Sequence, residues 1–349
     1  MRILYFFCLL LLCSCSSSSK DKRERIHIPT GSNDTIYLSK IMQRIDTIRL
    51  VTSVDNIIPA IRQLACSREY FFISSGNKLF QMDKNGKFVR HIGHQGKGPQ
   101  EFEQINGICC SEKYLYISSL RKILCFNFDG EYQFTINTDY WADAMQYIDD
   151  ELWVIAKGFG SKSEIINRTF VKRFQANGAE KDSICLKQIK VKRQVGAMLP
   201  GIQYISDLGN EKMVYCPVLV KLSNSIDTLF SMKGNKLIPT KIIEVDNPTP
   251  DKSKLLIKNI FQTNRYLWAE YRHDGENKLF CYDLKSRKGI NSFTFMVDDK
   301  FNTGEIRLLP VDLKNNKLYF QKQGYELEEI MPNYTEDSNP MLFVVYVND

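Results

Sequence analysis

Apolar residues in this chain come in short alternating runs separated by turn-forming residues, and few runs carry a helical period. Tyr70-Phe-Phe-Ile-Ser-Ser75 is followed by Gly76-Asn77, then by Lys78–Met82, by Lys84-Asn85-Gly86 and by Lys87–Ile92. Runs of this length, rich in aromatic and β-branched residues and punctuated by Gly, Asn and Asp, predict strands joined by tight hairpins. With Ile61–Leu64 in front, they make a four-stranded meander. The pattern then recurs: Tyr114-Leu-Tyr-Ile-Ser-Ser119, Lys122-Ile-Leu124 and Gly130-Glu-Tyr132 each lie 44 positions after Tyr70, Lys78 and Gly86. A period of about 40–50 residues built from short strands is the signature of a propeller blade.

Later copies are looser. Leu152–Ala156 with Thr169–Phe174 and Asn177-Gly178 predicts a third unit, and Met213–Pro217 with Ile226–Met232 and Gly234-Asn235 a fourth. Tyr266–Tyr271, Lys278–Tyr282 and a turn at 285–289 predict a fifth. Ile306–Pro310 and Leu318–Gln321 begin a sixth that lacks its own outer strand, with a weak helical stretch at Tyr325–Met331. Two further strands are available at the ends, Ile45–Val51 and Met341–Val347. An unpaired sheet edge is a liability that a closed ring removes. The expectation is therefore an all-β fold, a six-bladed β-propeller closed by pairing the N- and C-terminal strands, over residues 35–349.

The first residues follow a different rule. Arg2 precedes a ten-residue apolar run, Ile3–Leu12, too short for a spanning helix of about 20 residues but of the length of a secretory signal core. Leu12-Cys-Ser-Cys15 then resembles a bacterial lipobox, which implies a signal peptide over 1–14 and a diacylglyceryl thioether on Cys15. A polar stretch begins with Ser16–Ser19 and runs to Arg25. Its composition predicts an unstructured tether over 15–34. Anchoring by two or more acyl chains is stable where one is marginal. The expected address is the cell envelope, lipid-anchored at the outer membrane.

Composition narrows the partners. Lys and Arg number 47 against 40 Asp and Glu, a formal charge of +7, and both signs alternate along the chain. No basic stripe of the kind nucleic-acid binders carry is present, so no nucleic-acid partner is expected. Beyond Cys15 the cysteines are Cys66, Cys109, Cys110, Cys125, Cys185, Cys216 and Cys281, without a C-x-x-C pair. Several sit in strand runs and read as small core residues rather than a disulfide framework.

Between the first two units lies Ile92-Gly-His-Gln-Gly-Lys-Gly-Pro-Gln-Glu-Phe102. It resembles the I-G-x-x-G-x-G-P-x-E-F signature of NHL-type propellers, and with the lipobox and the closing strand it resembles the six-bladed propeller lipoproteins of Bacteroidota. Gln100 stands where that family commonly has Gly. Gly93, Gly96 and Gly98 suit a loop with close backbone approaches, Pro99 stiffens its exit, and Phe102 is placed to anchor the next inner strand. The loop enters a channel mouth, which makes His94, Gln95, Lys97 and Glu101 candidate ligand contacts. Tyr140 and Trp141, at the matching crossing after the second unit, are candidates for a stacking platform.

Catalytic motifs are missing from the sequence: there is no G-x-S-x-G and no H-E-x-x-H, and only four histidines occur. Acid pairs such as Asp149-Asp150, Asp298-Asp299 and Glu328-Glu329 read as turn or surface charge, since adjacent strand residues face opposite ways. No cofactor and no metal site is predicted from residues, although the fold leaves room for a calcium or zinc ion in the channel. The sequence thus points to a non-enzymatic envelope module that binds a glycan, peptide or partner protein. The alternative is a metal-dependent hydrolase or lyase with its site in the channel.

Overall fold

The computed structural model describes residues 23–29, 34–159, 166–190, 203–215, 226–246, 255–292 and 295–349. Among them, six antiparallel meanders stand around a common axis. Blade 1 consists of Gln63–Cys66, Tyr70–Ser75, Lys78–Asp83 and Phe88–His91; blade 2 of Gly107–Cys110, Tyr114–Ser119, Lys122–Asn127 and Tyr132–Asn137. The 44-residue offset holds strand by strand. Blade 3 comprises Trp141–Ile148, Glu151–Phe159, Ile166–Gln175 and Glu180–Lys190. Blade 5 comprises Leu255–Gln262, Tyr266–His273, Glu276–Asp283 and Lys288–Ser292.

The sixth blade is made from both ends of the chain. Leu309–Asp312, Lys317–Lys322 and Met341–Val347 supply three strands, and Met42–Arg49 pairs antiparallel with Met341–Val347 as the outermost. The expected Ile45–Val51 strand is therefore shifted toward the N-terminus by a few residues. The helical stretch in this blade shrinks to one turn, Gly324–Leu327, with a capping box between Gln323 and Glu326.

Packing closes the circle. Six apolar clusters lie between neighbouring blades among the described residues, because each sheet buries both faces. Phe72 and Leu79 of blade 1 meet Leu115 and Leu124 of blade 2, and Phe261 and Trp268 of blade 5 meet Phe320 and Phe343 of blade 6. The cluster that completes the cycle joins Tyr319, Leu342 and Val344 of blade 6 to Phe71, Ile73 and Phe80 of blade 1, with Ile48 and Leu50 of the closing segment. Phe320 and Phe343 stack at 4.4 Å between centroids and 5° between planes, a close contact of two buried rings.

Blade 4 departs from expectation. Ile205–Asp207, Lys212–Tyr215, Ile226–Lys233 and Lys236–Val245 form its meander, and Glu24–Ile28 adds a fifth, parallel strand outside Lys236–Val245. The ring thus takes in a strand from before residue 35, and Glu24–Ile28 of the expected tether is structured. The reason is visible in the alternation of Glu24-Arg-Ile-His-Ile28: Ile26 and Ile28 are buried against Ile243 and Val245 while Arg25 and His27 face water. Apolar alternation over five residues is a strand signal that the charged neighbours masked. The signal run 1–14 and Cys15 lie outside the described residues.

Meander topology sorts the loops onto two faces. Turns between the first and second and between the third and fourth strands of each blade lie on one face. The central hairpins and the inter-blade crossings lie on the other, here called the crossing face. The Gly-rich loop, the Tyr140–Trp141 junction and the approach to Leu309 all belong to the crossing face.

Candidate functional site

The Gly-rich loop folds around its own carboxylate. Glu101 Oε1 lies 2.8 Å from His94 Nε2, and Glu101 Oε2 accepts the backbone N–H of Gly98 at 2.7 Å. A Cβ at Gly96 would sit 1.9 Å from Glu101 Oε2, and one at Gly98 would sit 3.0 Å from it. These two glycines therefore exist because the carboxylate occupies the space a side chain would need. The Gly98 N–H, then the His94 imidazole, hold the Glu101 carboxyl below the usual carboxylate range. Backbone bonds complete the knot: Phe102 N donates to His94 O at 3.2 Å and Gly96 N to Phe102 O at 3.1 Å. Gln95 reaches the Glu103 carbonyl at 3.1 Å, and Lys122 of blade 2 donates to the Gly98 carbonyl at 3.0 Å.

Phe102 is fully buried in the cluster between blades 1 and 2. Gly93, at φ +60°, lets it in, since a Cβ there would meet Phe102 at 3.0 Å and Phe126 at 3.2 Å. His94, Gln95 and Glu101 are thus each engaged within the loop or its edge, while Lys97 and Pro99 stand exposed at its tip. The structure brings His94 and Glu101 together and leaves Lys97 pointing into solvent.

Tyr140 and Trp141 part company. Tyr140 is 6 % exposed and packs into the cluster between blades 2 and 3, with the Lys172 ammonium 4.9 Å from its ring centroid. Trp141, the first residue of blade 3, is 39 % exposed. A two-ring platform is therefore not what the fold offers; adjacent strand residues point to opposite faces, and only Trp141 presents a ring to solvent.

The remaining chemical candidates resolve into structural roles. Asp298 accepts the N–H groups of Lys300 and Phe301 and the Thr303 hydroxyl, holding the turn of a small hairpin, Met296–Asp298 with Gly304–Ile306. Asp299 accepts from both the backbone and hydroxyl of Ser39. Asp149 and Asp150 form a left-handed turn in blade 3, and Asp149 pairs with Lys212 at 2.6 Å. His91 contacts the Asp55 carbonyl and the rings of Phe80 and Phe88 rather than His94. Among the described residues, no three His, Cys, Asp or Glu side chains converge as a metal ligand set. Cys109 and Cys110 are free thiols, as are Cys66, Cys125, Cys185 and Cys281. Burial pushes the Cys110 and Cys125 thiols up to about 12, which suits packing rather than nucleophilic work. Cys216 lies outside the described residues.

The repeated Ser-Ser pair has a structural role that the sequence motifs alone do not disclose. Ser119 Oγ accepts the N–H groups of Glu103 and Gln104 at 3.1 and 3.4 Å, and Ser75 Oγ accepts that of Ala60 at 3.4 Å. The second serine of each pair fastens the incoming crossing to its blade. Its hydroxyl at the end of an apolar strand, repeated 44 residues later, was the available signal.

No curated protein matches this chain. Among solved structures it is similar to a protein from Bacteroides fragilis described as exported, at 16% identity and TM-score 0.69, over 93% of this chain and 99% of that one. Lesser likenesses, both below a TM-score of 0.5, are to two proteins. One is the extracellular domain of a one-component system from B. thetaiotaomicron (16% identity, TM-score 0.42, 80% of this chain and 33% of that one). The other is a gluconolactonase from Xanthomonas campestris (10% identity, TM-score 0.46, 92% and 97%). At 16% identity the likeness to the Bacteroides fragilis protein speaks for the fold alone. A family model described as a domain of unknown function, DUF4934, matches residues 24–346, from the added strand of blade 4 to the closing strand of blade 6, and the chain belongs to that family.

Proposed function

We propose that this protein is a non-enzymatic binding module of the cell envelope, tethered through a lipidated Cys15, that offers the crossing face of its ring to a glycan, peptide or partner protein. The observation that carries this reading is the division of labour on that face. The Gly-rich loop is locked by Glu101, Gly98 and Phe102, while Lys97 and Trp141 project outward from fixed backbone. Rigid scaffolding beneath exposed polar and aromatic groups is how binding surfaces avoid the entropy cost of ordering on contact. The N-terminal apolar run followed by Cys15 supports export and anchoring, in keeping with the description of the Bacteroides fragilis neighbour as exported.

Two measurements test the proposal. Intact mass and detergent partitioning of the protein made in a Bacteroidota host should show a diacylated N-terminus that a Cys15→Ser variant lacks; an unmodified, freely soluble wild type would refute the tether. Binding of neutral and charged oligosaccharides and peptides should weaken in Trp141→Ala and Lys97→Ala without loss of fold, and unchanged affinities in both would remove this face from consideration.

A further inference from the structure

On the crossing face, the innermost strand of blade 5 carries a β-bulge. Ile257 pairs with Tyr271 and Asn259 with Glu270, so Lys258 between them has no partner across the ladder. A bulge re-aims the side chain it carries and is a recurrent device beside binding sites. Among the described residues around Lys258, cations outnumber anions. Its neighbours are the cations Arg307 and Arg272 and the anion Glu270. Glu270 is buried and already spent: it receives Arg307 Nε at 2.8 Å and Nη2 at 2.6 Å, and the Asn259 amide at 3.4 Å. Lys258 has one hydrogen-bond partner among the described residues, the neutral Asn277 Oδ1 at 3.1 Å, and no ion pair. Burial, then repulsion from Arg307, with Glu270 opposing, holds the Lys258 ammonium below the ordinary lysine range. Among the described residues, three positive groups thus stand around one carboxylate in a partly desolvated place, and an anion beside Lys258 would offset their repulsion.

We infer that Lys258, carried on its bulge beside Arg307 and Arg272, is the docking point for an oxyanion of the ligand, a carboxylate or a sulfate. This rests on the crossing face being the binding face. Lys258 supplies a point charge and Arg272, exposed at the end of the neighbouring hairpin, a planar donor set suited to either oxyanion. Glu270 holds Arg307 in place through its two hydrogen bonds.

The test is calorimetric titration of the full chain with glucuronate, glucose 6-sulfate and neutral glucose oligomers, in wild type, Lys258→Gln and Arg272→Gln. The expected result is preference for at least one anionic probe over the neutral series, weakened about tenfold or more in Lys258→Gln, equivalent to about 1.4 kcal/mol. Which anion is preferred separates uronate-type from sulfated ligands. Thermal stability of Lys258→Gln should equal or exceed wild type, because the substitution relieves repulsion; lost binding then cannot be ascribed to unfolding. Equal affinity for anionic probes in wild type and Lys258→Gln overturns the inference. Capture of neutral oligomers but of neither anion overturns it while leaving the binding-module reading intact, and capture of none of the probes overturns it and narrows that reading to peptides and partner proteins.

Discussion

Gly86 and Gly130 occupy the same turn in blades 1 and 2, 44 residues apart, with φ of +80° and +83°. Alanine at either must adopt a left-handed backbone, at a cost of about 1–2 kcal/mol. What lies beyond each glycine differs. At Gly130 an added Cβ meets the Ile92 side chain at 3.4 Å, an ordinary contact. At Gly86 it would stand 2.1 Å from the carbonyl oxygen of Arg49 and 2.9 Å from its carbonyl carbon. Arg49 ends the strand that closes the ring, and the Gly86 carbonyl accepts the N–H of Val51 just beyond it. A backbone carbonyl pinned in a ladder cannot swing aside as a side-chain tip can, so Gly86→Ala must push the closing segment away from blade 1. Overpacking of this kind costs about 1–3 kcal/mol in addition to the shared backbone penalty. Urea denaturation followed by tryptophan fluorescence, read as midpoint shifts at unchanged slope, should place Gly86→Ala well below Gly130→Ala. Equal destabilisation would mean that the N-terminal segment does not lie against blade 1, and the argument for closure from this contact would fail.

Other consequences follow from the fastening of the crossings. Ser119→Ala should destabilise by about 0.5–1.5 kcal/mol, since it removes the hydroxyl that accepts two amides of exposed residues, and should speed hydrogen exchange at Glu103 and Gln104; Ser75→Ala, which loses one longer bond, should cost less. Glu101 has its carboxyl lowered, chiefly by the Gly98 N–H and then by His94. Its contribution is therefore present above the unfolded carboxyl range and lost as pH falls through the lower folded value. The Gly98 amide resonance should titrate below pH 4.5 in wild type and stay flat in Glu101→Gln; a midpoint at or above the ordinary glutamate value would contradict the loop geometry.

The sequence made the ring legible where the repeat is tightest. Blades 1 and 2 announce themselves because their hairpins are short and their Ser-Ser and Gly turns recur in step. Blade 4's fifth strand escaped because Glu24–Ile28 is only five residues long and follows a run of charge, so alternation was hidden by composition. The site was harder to read. The glycines of the crossing loop pointed correctly to close approach, but nothing in their spacing told that the approaching group would be Glu101 itself. Tyr140 and Trp141 are neighbours in sequence, yet strand geometry sends one into the core and one to solvent. The bulge at Lys258 left no mark at all, since it depends on the register of Leu255–Gln262 against Tyr266–His273 rather than on either strand alone.

Ring closure is the claim on which the faces, the channel mouth and the candidate contacts depend. In the sixth blade Arg44 stands opposite Tyr346, with its guanidinium 3.9 Å from the ring centroid. Opposed residues in an antiparallel pair lie about 4.5–5.5 Å apart between Cα atoms, within disulfide reach. An Arg44→Cys, Tyr346→Cys variant, oxidised and digested, should therefore yield one intramolecular cross-linked peptide joining the two ends of the chain. Failure of that link to form, while a control cysteine pair across Lys317 and Tyr346 of the same blade oxidises readily, would contradict a ring sealed by its N-terminal strand.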